Sequence, residues 1–125
     1  MLPIPIDVPE LPANNHTYSQ AARLGDVLFV SGQLGVDPAT RALVPGGIRE
    51  QTRQAIENLE IILSAAGSGL QRVAKVNIFL TDFSLLPQMN EVYAARFTHR
   101  PAKTTVEVAW LDKNALIEIE AIAGT

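Results

Sequence analysis

Charged and hydroxyl side chains recur at alternate positions near the end of the 125-residue chain. Lys103, Thr105 and Glu107 alternate through HRPAKTTVEV, and Glu118 and Glu120 through LIEIEAIA. Alternate residues of an extended strand share one face, so the two glutamates would stand about 7 Å apart along theirs. A lysine placed just after a proline, where a loop becomes a strand, can hold an acidic ligand at the mouth of a pocket. A carboxylate at a partly apolar junction has a raised pKa and can act as a general base on water. If Thr104–Trp110 and Leu116–Ala123 form a hairpin, cation, hydroxyl and carboxylates converge. The alternative reading makes Lys103 a surface charge and both glutamates solvated or ion-paired.

The other reactive residue types carry less. Ser31 follows VLFV and precedes Gly32, so its hydroxyl and the nearby amides can face a ligand. With no histidine or lysine at fixed spacing it is no nucleophile, and a turn serine is the simpler reading. Tyr18 and Asn90 in isolation read as an edge tyrosine and a helix-surface amide. Gly67-Ser68-Gly69 lacks the lysine of a phosphate-binding loop and reads as a helix stop. The two histidines, His16 and His99, lie far apart outside any metal-ligand spacing, and the chain has no cysteine. No metal site is expected, and a reducing compartment is permitted.

Size and composition set the frame for these residues. A chain of this length builds one core, so residues 1–125 read as a single domain with a proline-rich arm over 1–15. A hydrophobic content of 47% against 18% charged residues leaves apolar surface to cover, which points to a homo-oligomer. The net charge of −3 and scattered Lys and Arg argue against nucleic acid. No basic leader and no apolar run of about 18 residues is present, so no membrane is expected and the cytoplasm is the expected location.

The elements follow from periodicity. YSQAARL and VLFV flank a turn at Gly25-Asp26, and Ser31-Gly32-Gln33 interrupts the second strand. Asp37-Pro38 and Gly46-Gly47 bound a long loop. Thr52, Ala55, Ile56, Leu59, Ile62, Leu63 and Ala66 give helical spacing ended by Gly67. Ala74, Val76, Ile78 and Leu80 alternate as a strand, and Pro87 to Phe97 returns to a shorter helix. In the last strand Ala115, Ile117, Ile119, Ala121 and Ala123 suit packing under helices. The opposite set, Leu116, Glu118, Glu120 and Ile122, is expected to meet other subunits. The result is an α+β sheet layered by two helices on one face.

In order and spacing, Tyr18-Ser19-Gln20-Ala21, Phe29-Val30-Ser31-Gly32-Gln33, Gln51-Thr52-Arg53-Gln54-Ala55, Asn58-Leu59, Asn90-Glu91-Val92-Tyr93, Arg100-Pro101-Ala102 and Ile117 to Ala123 resemble the Rid/YjgF family of reactive intermediate deaminases. The resemblance implies a chorismate-mutase-like fold with a six-stranded mixed sheet, in a homotrimer with a barrel-like centre and clefts between subunits. It also implies cofactor-free hydrolysis of imine and enamine acids, such as 2-aminoacrylate released by pyridoxal-phosphate enzymes, to keto acid and ammonia. Carried over by position, Glu120 handles the attacking water and Lys103 binds the substrate carboxylate. Tyr18, Ser31, Gly32, Asn90 and Thr105 line the cleft. The chain departs from the family pattern in three places. Lys103 stands where active members carry arginine, which exchanges a planar bidentate fork for a point charge. Thr105 replaces a frequent cysteine, and His16-Thr17 replaces a common Gly-Pro. A trimer that binds a small acidic metabolite without turning it over is the competing expectation, and a ribonuclease the least favoured one.

Overall fold

The computed structural model describes residues 1–11 and 17–125, so His16 and the end of the expected arm lie outside the described residues. The chain begins with strand β1 (Ile4–Ile6), which pairs antiparallel with β2 (Ala21–Leu24) as an edge strand. β2 turns through Gly25, at φ 60°, into β3 (Val27–Leu34). The interruption expected at Ser31-Gly32-Gln33 is instead a bulge between Val30 and Gln33 inside one continuous strand. A bulge kinks a strand and re-aims its side chains without ending the pairing.

Helix α1 (Ile48–Ala65) buries Thr52, Ala55, Ile56, Leu59, Ile62 and Leu63, the stripe its spacing predicts. At its start the Glu50 carboxylate accepts the Gly47 N–H at 3.0 Å, and this bond holds the Glu50 carboxyl below its ordinary pKa. At its end Gly67 takes φ 79° and the Ser68 N–H reaches back to the Leu63 carbonyl at 2.8 Å, a left-handed stop that glycine adopts at least cost. β4 (Val73–Leu80) follows, with Val76, Ile78 and Leu80 buried. Ala74 does not share their face. A register shift between Val73 and Lys75 turns it outward and buries Val73 instead. Helix α2 (Leu86–Arg96) has Pro87 in its first turn, where the missing N–H costs nothing. β5 (Ala102–Glu107) and β6 (Ile117–Gly124) complete a sheet of order β1-β2-β3-β6-β4-β5.

The expected C-terminal hairpin is absent. β5 pairs parallel to β4 at the sheet edge, whereas β6 inserts between β3 and β4, antiparallel to both. The sequence of β6 explains this. Ile117, Ile119, Ala121 and Ala123 are all buried while the intervening residues are half-buried, the pattern of a strand with neighbours on both edges. β5 is exposed along most of its length, as suits an edge. With β6 interposed, β3 and β4 run parallel, so β3-α1-β4 and β4-α2-β5 are successive crossovers moving the same way across the sheet. Right-handed connections then put both helices on one face. Ion pairs between Arg49 and Glu91 (3.0 Å) and between Arg96 and Glu60 (2.9 Å) tie the helices together. No helix among the described residues is long and apolar enough to cross a membrane.

Candidate active site

The loss of the hairpin rearranges the expected site. Lys103 and Thr105 stand in register with Val76 and Ile78, residues of the buried, helix-covered face. Glu118 and Glu120 stand in register with Phe79 and Asn77, on the open face. Within one chain, therefore, the cation and the two carboxylates do not converge. They form two half-sites on opposite faces of the sheet.

The first half-site is built by β5 and α2. Lys103 Nζ donates to Asn90 Oδ1 at 2.9 Å and sits 4.7 Å above the Tyr93 ring centroid, within cation–π range. Among the described residues Lys103 makes no ion pair. Asn90 and Tyr93 lie one helical turn apart, so α2 presents an amide and an aromatic face to the same ammonium. Tyr93 is 93% buried by its 7% exposure, and its hydroxyl has no hydrogen-bond partner among the described residues. Burial pushes its pKa up to about 12, so it stays a neutral donor. The Thr105 hydroxyl is likewise buried without a partner. Asn90, Tyr93, Phe97, Arg100 and Lys103 line a cavity of about 350 Å³.

The second half-site gathers around the β3 bulge. Tyr18, Ser31, Gly32, Arg41, Lys113 and Glu118 line a cleft of about 750 Å³. The Ser31 hydroxyl donates to the Ser19 carbonyl at 2.7 Å, which commits its proton and agrees with a shaping rather than a nucleophilic part. A Cβ on Gly32 would lie 2.7 Å from the Glu118 carboxyl carbon, so only glycine lets that carboxyl fold over the bulge. Burial, and then the negative charges of Glu120 and Asp112, raise the Glu118 pKa. Glu120 lies opposite the bulge, where its Oε2 accepts from Asn77 Nδ2 at 3.2 Å.

The sequence puts Tyr18, Ser31, Gly32, Asn90 and Lys103 in a single cleft, whereas within one chain Tyr18, Ser31 and Gly32 gather at the β3 bulge and Asn90 and Lys103 at β5 and α2. It did not single out the Tyr93 ring or Arg100. The signal for Tyr93 was its i+3 spacing from Asn90. Arg41, Lys113 and Asn114 take φ of 62°, 59° and 56° in the loops, conformations that leave little trace in residue type when the residue is not glycine. The buried amides have structural partners. Asn58 donates to the Leu34 and Val36 carbonyls at 3.1 and 2.9 Å, and Gln51 accepts the Leu116 N–H at 2.9 Å, pinning α1 to β3 and to the start of β6. Among the described residues no group of three His, Cys, Asp or Glu side chains could hold a metal.

Known proteins resemble the chain in sequence and in fold. Residues 9–125 match the family model described as Endoribonuclease L-PSP. A RutC family protein of Pyrococcus horikoshii is 50% identical over 107 residues, 85% of each chain. The 2-iminobutanoate/2-iminopropanoate deaminase of Rattus norvegicus is 42% identical over 119 residues, 94% of this chain and 87% of that one. Among solved structures, the conserved Rid family protein YyfA of Yersinia pestis superposes with a TM-score of 0.94 at 38% identity, covering 99% of this chain and 100% of that one. E. coli TdcF with bound serine gives 0.91 at 34% identity, covering 98% of each. An inserted central strand, two helices on one face and a strand bulge facing a glutamate are thus carried by a sequence alike along nearly its whole length, and the chain belongs to the Rid/YjgF family.

Proposed function

We propose that the protein is a hydrolytic deaminase of small imine and enamine acids of the 2-aminoacrylate type, working without a cofactor as a homotrimer with a barrel-like centre. The observation that carries this reading is the Lys103 ammonium, held between Asn90 and the Tyr93 ring at a cavity with no carboxylate among the described residues to neutralise it. Such a cation suits the carboxylate of a small acid. The open sheet face leaves Phe29 44% exposed beside the carboxylates, which supports its burial against other copies. In the trimer the Lys103 half-site of one subunit faces the Glu120 half-site of the next, which supplies the convergence one chain lacks.

The chemistry asks little more. An enamine first takes a proton at its β-carbon from water to become the iminium ion, the protonated form of the imine. Glu120, oriented by Asn77, accepts a proton from water as the water oxygen bonds to the imine carbon. Glu120 passes that proton to the nitrogen, the carbinolamine hydroxyl gives its own proton back to Glu120 as the carbon–nitrogen bond breaks, and ammonia leaves the keto acid behind. Tyr18, Ser31, Gly32 and Thr105 shape the cleft around the substrate. Relatives named 2-iminobutanoate/2-iminopropanoate deaminase support this reaction.

The test adds purified protein to a system generating 2-aminoacrylate and follows keto acid and ammonia against a no-protein control. Faster release supports the reading, and no acceleration by a folded trimer sinks it. One observation favours a second reading, a trimer that only binds a small acidic metabolite: Lys103 offers a single point of attachment where the family arginine offers two. Stabilisation by keto acids with no turnover of any imine would decide for it. The ribonuclease named by the family model is disfavoured by the net charge of −3, and RNA retention at low salt would restore it.

A further inference from the structure

Lys103 does not stand alone in its cavity. Arg100 lines the same space, and among the described residues its side chain has no ion pair and no hydrogen-bond partner. Both are exposed, and two cations without an ion pair, three residues apart on one cavity, offer a positive site to an anionic ligand. The same cavity is lined by Ala94, Phe97 and Pro101 beside the polar Asn90 and Thr98. The space therefore combines two cations with an apolar wall.

The backbone at Arg100 strengthens the case. It takes φ 58°, a left-handed conformation that favours glycine, and it does so immediately before Pro101, a position where the chain ordinarily runs extended. Its N–H bonds to the Phe97 carbonyl at 3.3 Å, closing the turn off α2. Glycine would hold this turn at lower cost, so what arginine adds is its side chain. Residues kept in sparsely populated conformations concentrate at ligand sites.

We infer that Arg100 is a specificity residue selecting imino acids with a second carboxylate on a short aliphatic chain. Lys103 takes the carboxylate next to the imine carbon, Arg100 takes the distal one in a forked pair, and the apolar wall packs on the methylenes between. The guanidinium restores at the far end of the substrate the bidentate grip that lysine gives up at the near end. The inference rests on the deaminase reading for the reaction but not for the selectivity.

The experiment compares kcat/KM for imines formed in place by an amino-acid oxidase, from aspartate or glutamate on one side and alanine or 2-aminobutyrate on the other. In parallel, calorimetry compares binding of 2-oxoglutarate and 2-oxobutanoate. Wild type should favour the dicarboxylic member in both. Arg100→Gly, which suits the left-handed backbone and so keeps the fold, should cut that preference by about tenfold or more, the worth of a lost charge-assisted pair. Arg100→Lys should recover part of it. Equal handling of both classes by wild type, or a preference untouched by Arg100→Gly, overturns the inference. If no imine is hydrolysed but the diacid binds with an Arg100-dependent preference, the deaminase reading falls and the selectivity stands.

Discussion

At Lys103 the side chain is fixed by its neighbours before any ligand arrives. A free lysine surrenders about 2 kcal/mol of rotamer entropy when it is immobilised. The Asn90 amide and the Tyr93 ring absorb that cost in the folded protein. Tyr93→Leu should therefore raise KM about two- to fivefold with little change in kcat, the size of an exposed cation–π contact, whereas Tyr93→Phe keeps the ring and should leave KM near wild type. If the two variants raise KM equally, the ring does not position the lysine. Lys103→Arg should raise kcat/KM about tenfold if the second hydrogen bond is what the lysine lacks, and an unchanged value would remove the position from substrate contact. Glu118 carries a different consequence. Its folded pKa is raised, so the native state holds its proton more tightly than the unfolded chain, and stability falls as pH climbs from the ordinary carboxylate range through the raised value. Glu118→Gln should melt higher than wild type at neutral pH and no higher at a pH well below the carboxylate range. A Tm difference independent of pH would contradict that account.

Among the elements, β3 leads into a close approach to α1. A Cβ on Gly35 would lie 2.6 Å from the Gln51 backbone, which cannot yield as a side-chain tip can. Gly35→Ala should cost about 1–3 kcal/mol of stability by overpacking, read from urea unfolding. In Gly32→Ala the Cβ meets first the Glu118 side chain and should shift that side chain rather than unfold the strand. The two glycines look alike in the sequence, since what separates backbone from a movable side chain is a contact across elements. Helix α1 and strand β4 were legible because each carries an amphipathic stripe of its own, and α2 because Pro87 marks its first turn and Met89, Val92 and Tyr93 recur at helical spacing. The bulge in β3 was not, because Ser31-Gly32-Gln33 breaks a hydrophobic run whether the strand ends or merely kinks. The pairing of β5 was misread for a related reason: nine residues separate it from β6, among them a polar turn at Asp112-Lys113-Asn114, and local sequence does not distinguish a hairpin loop from a crossover.

For the whole molecule, the separation of Lys103 and Glu120 onto opposite faces makes a sharp prediction about assembly. If each cleft draws Lys103 from one subunit and Glu120 from the next, Lys103→Ala and Glu120→Gln proteins are each inactive alone. Dissociated and reassembled together they should regain about a quarter of wild-type activity, because each cleft in a random mixture takes both intact halves about once in four. No recovery from a mixture whose sedimentation shows trimers would place each cleft within one chain. The same opposition explains why the site was half-legible: alternation correctly grouped Lys103 with Thr105 and Glu118 with Glu120, yet said nothing of how the two strands lie relative to each other.

By itself the sequence determined the helices, most of the strands, most of the side-chain sets that share a face, Ala74 in β4 excepted, and, through its ordered short motifs, the family. These are properties of near neighbours in the chain, governed by the 3.6- and 2-residue periods and by turn chemistry. Only the tertiary structure decided that β6 enters the middle of the sheet and that β5 is left at its edge, since strand order is chosen by burial across the whole core. With that choice came the division of the site into a lysine half and a glutamate half. It also placed Arg100, which local sequence marked only as the residue before a proline, beside Lys103 in one cavity.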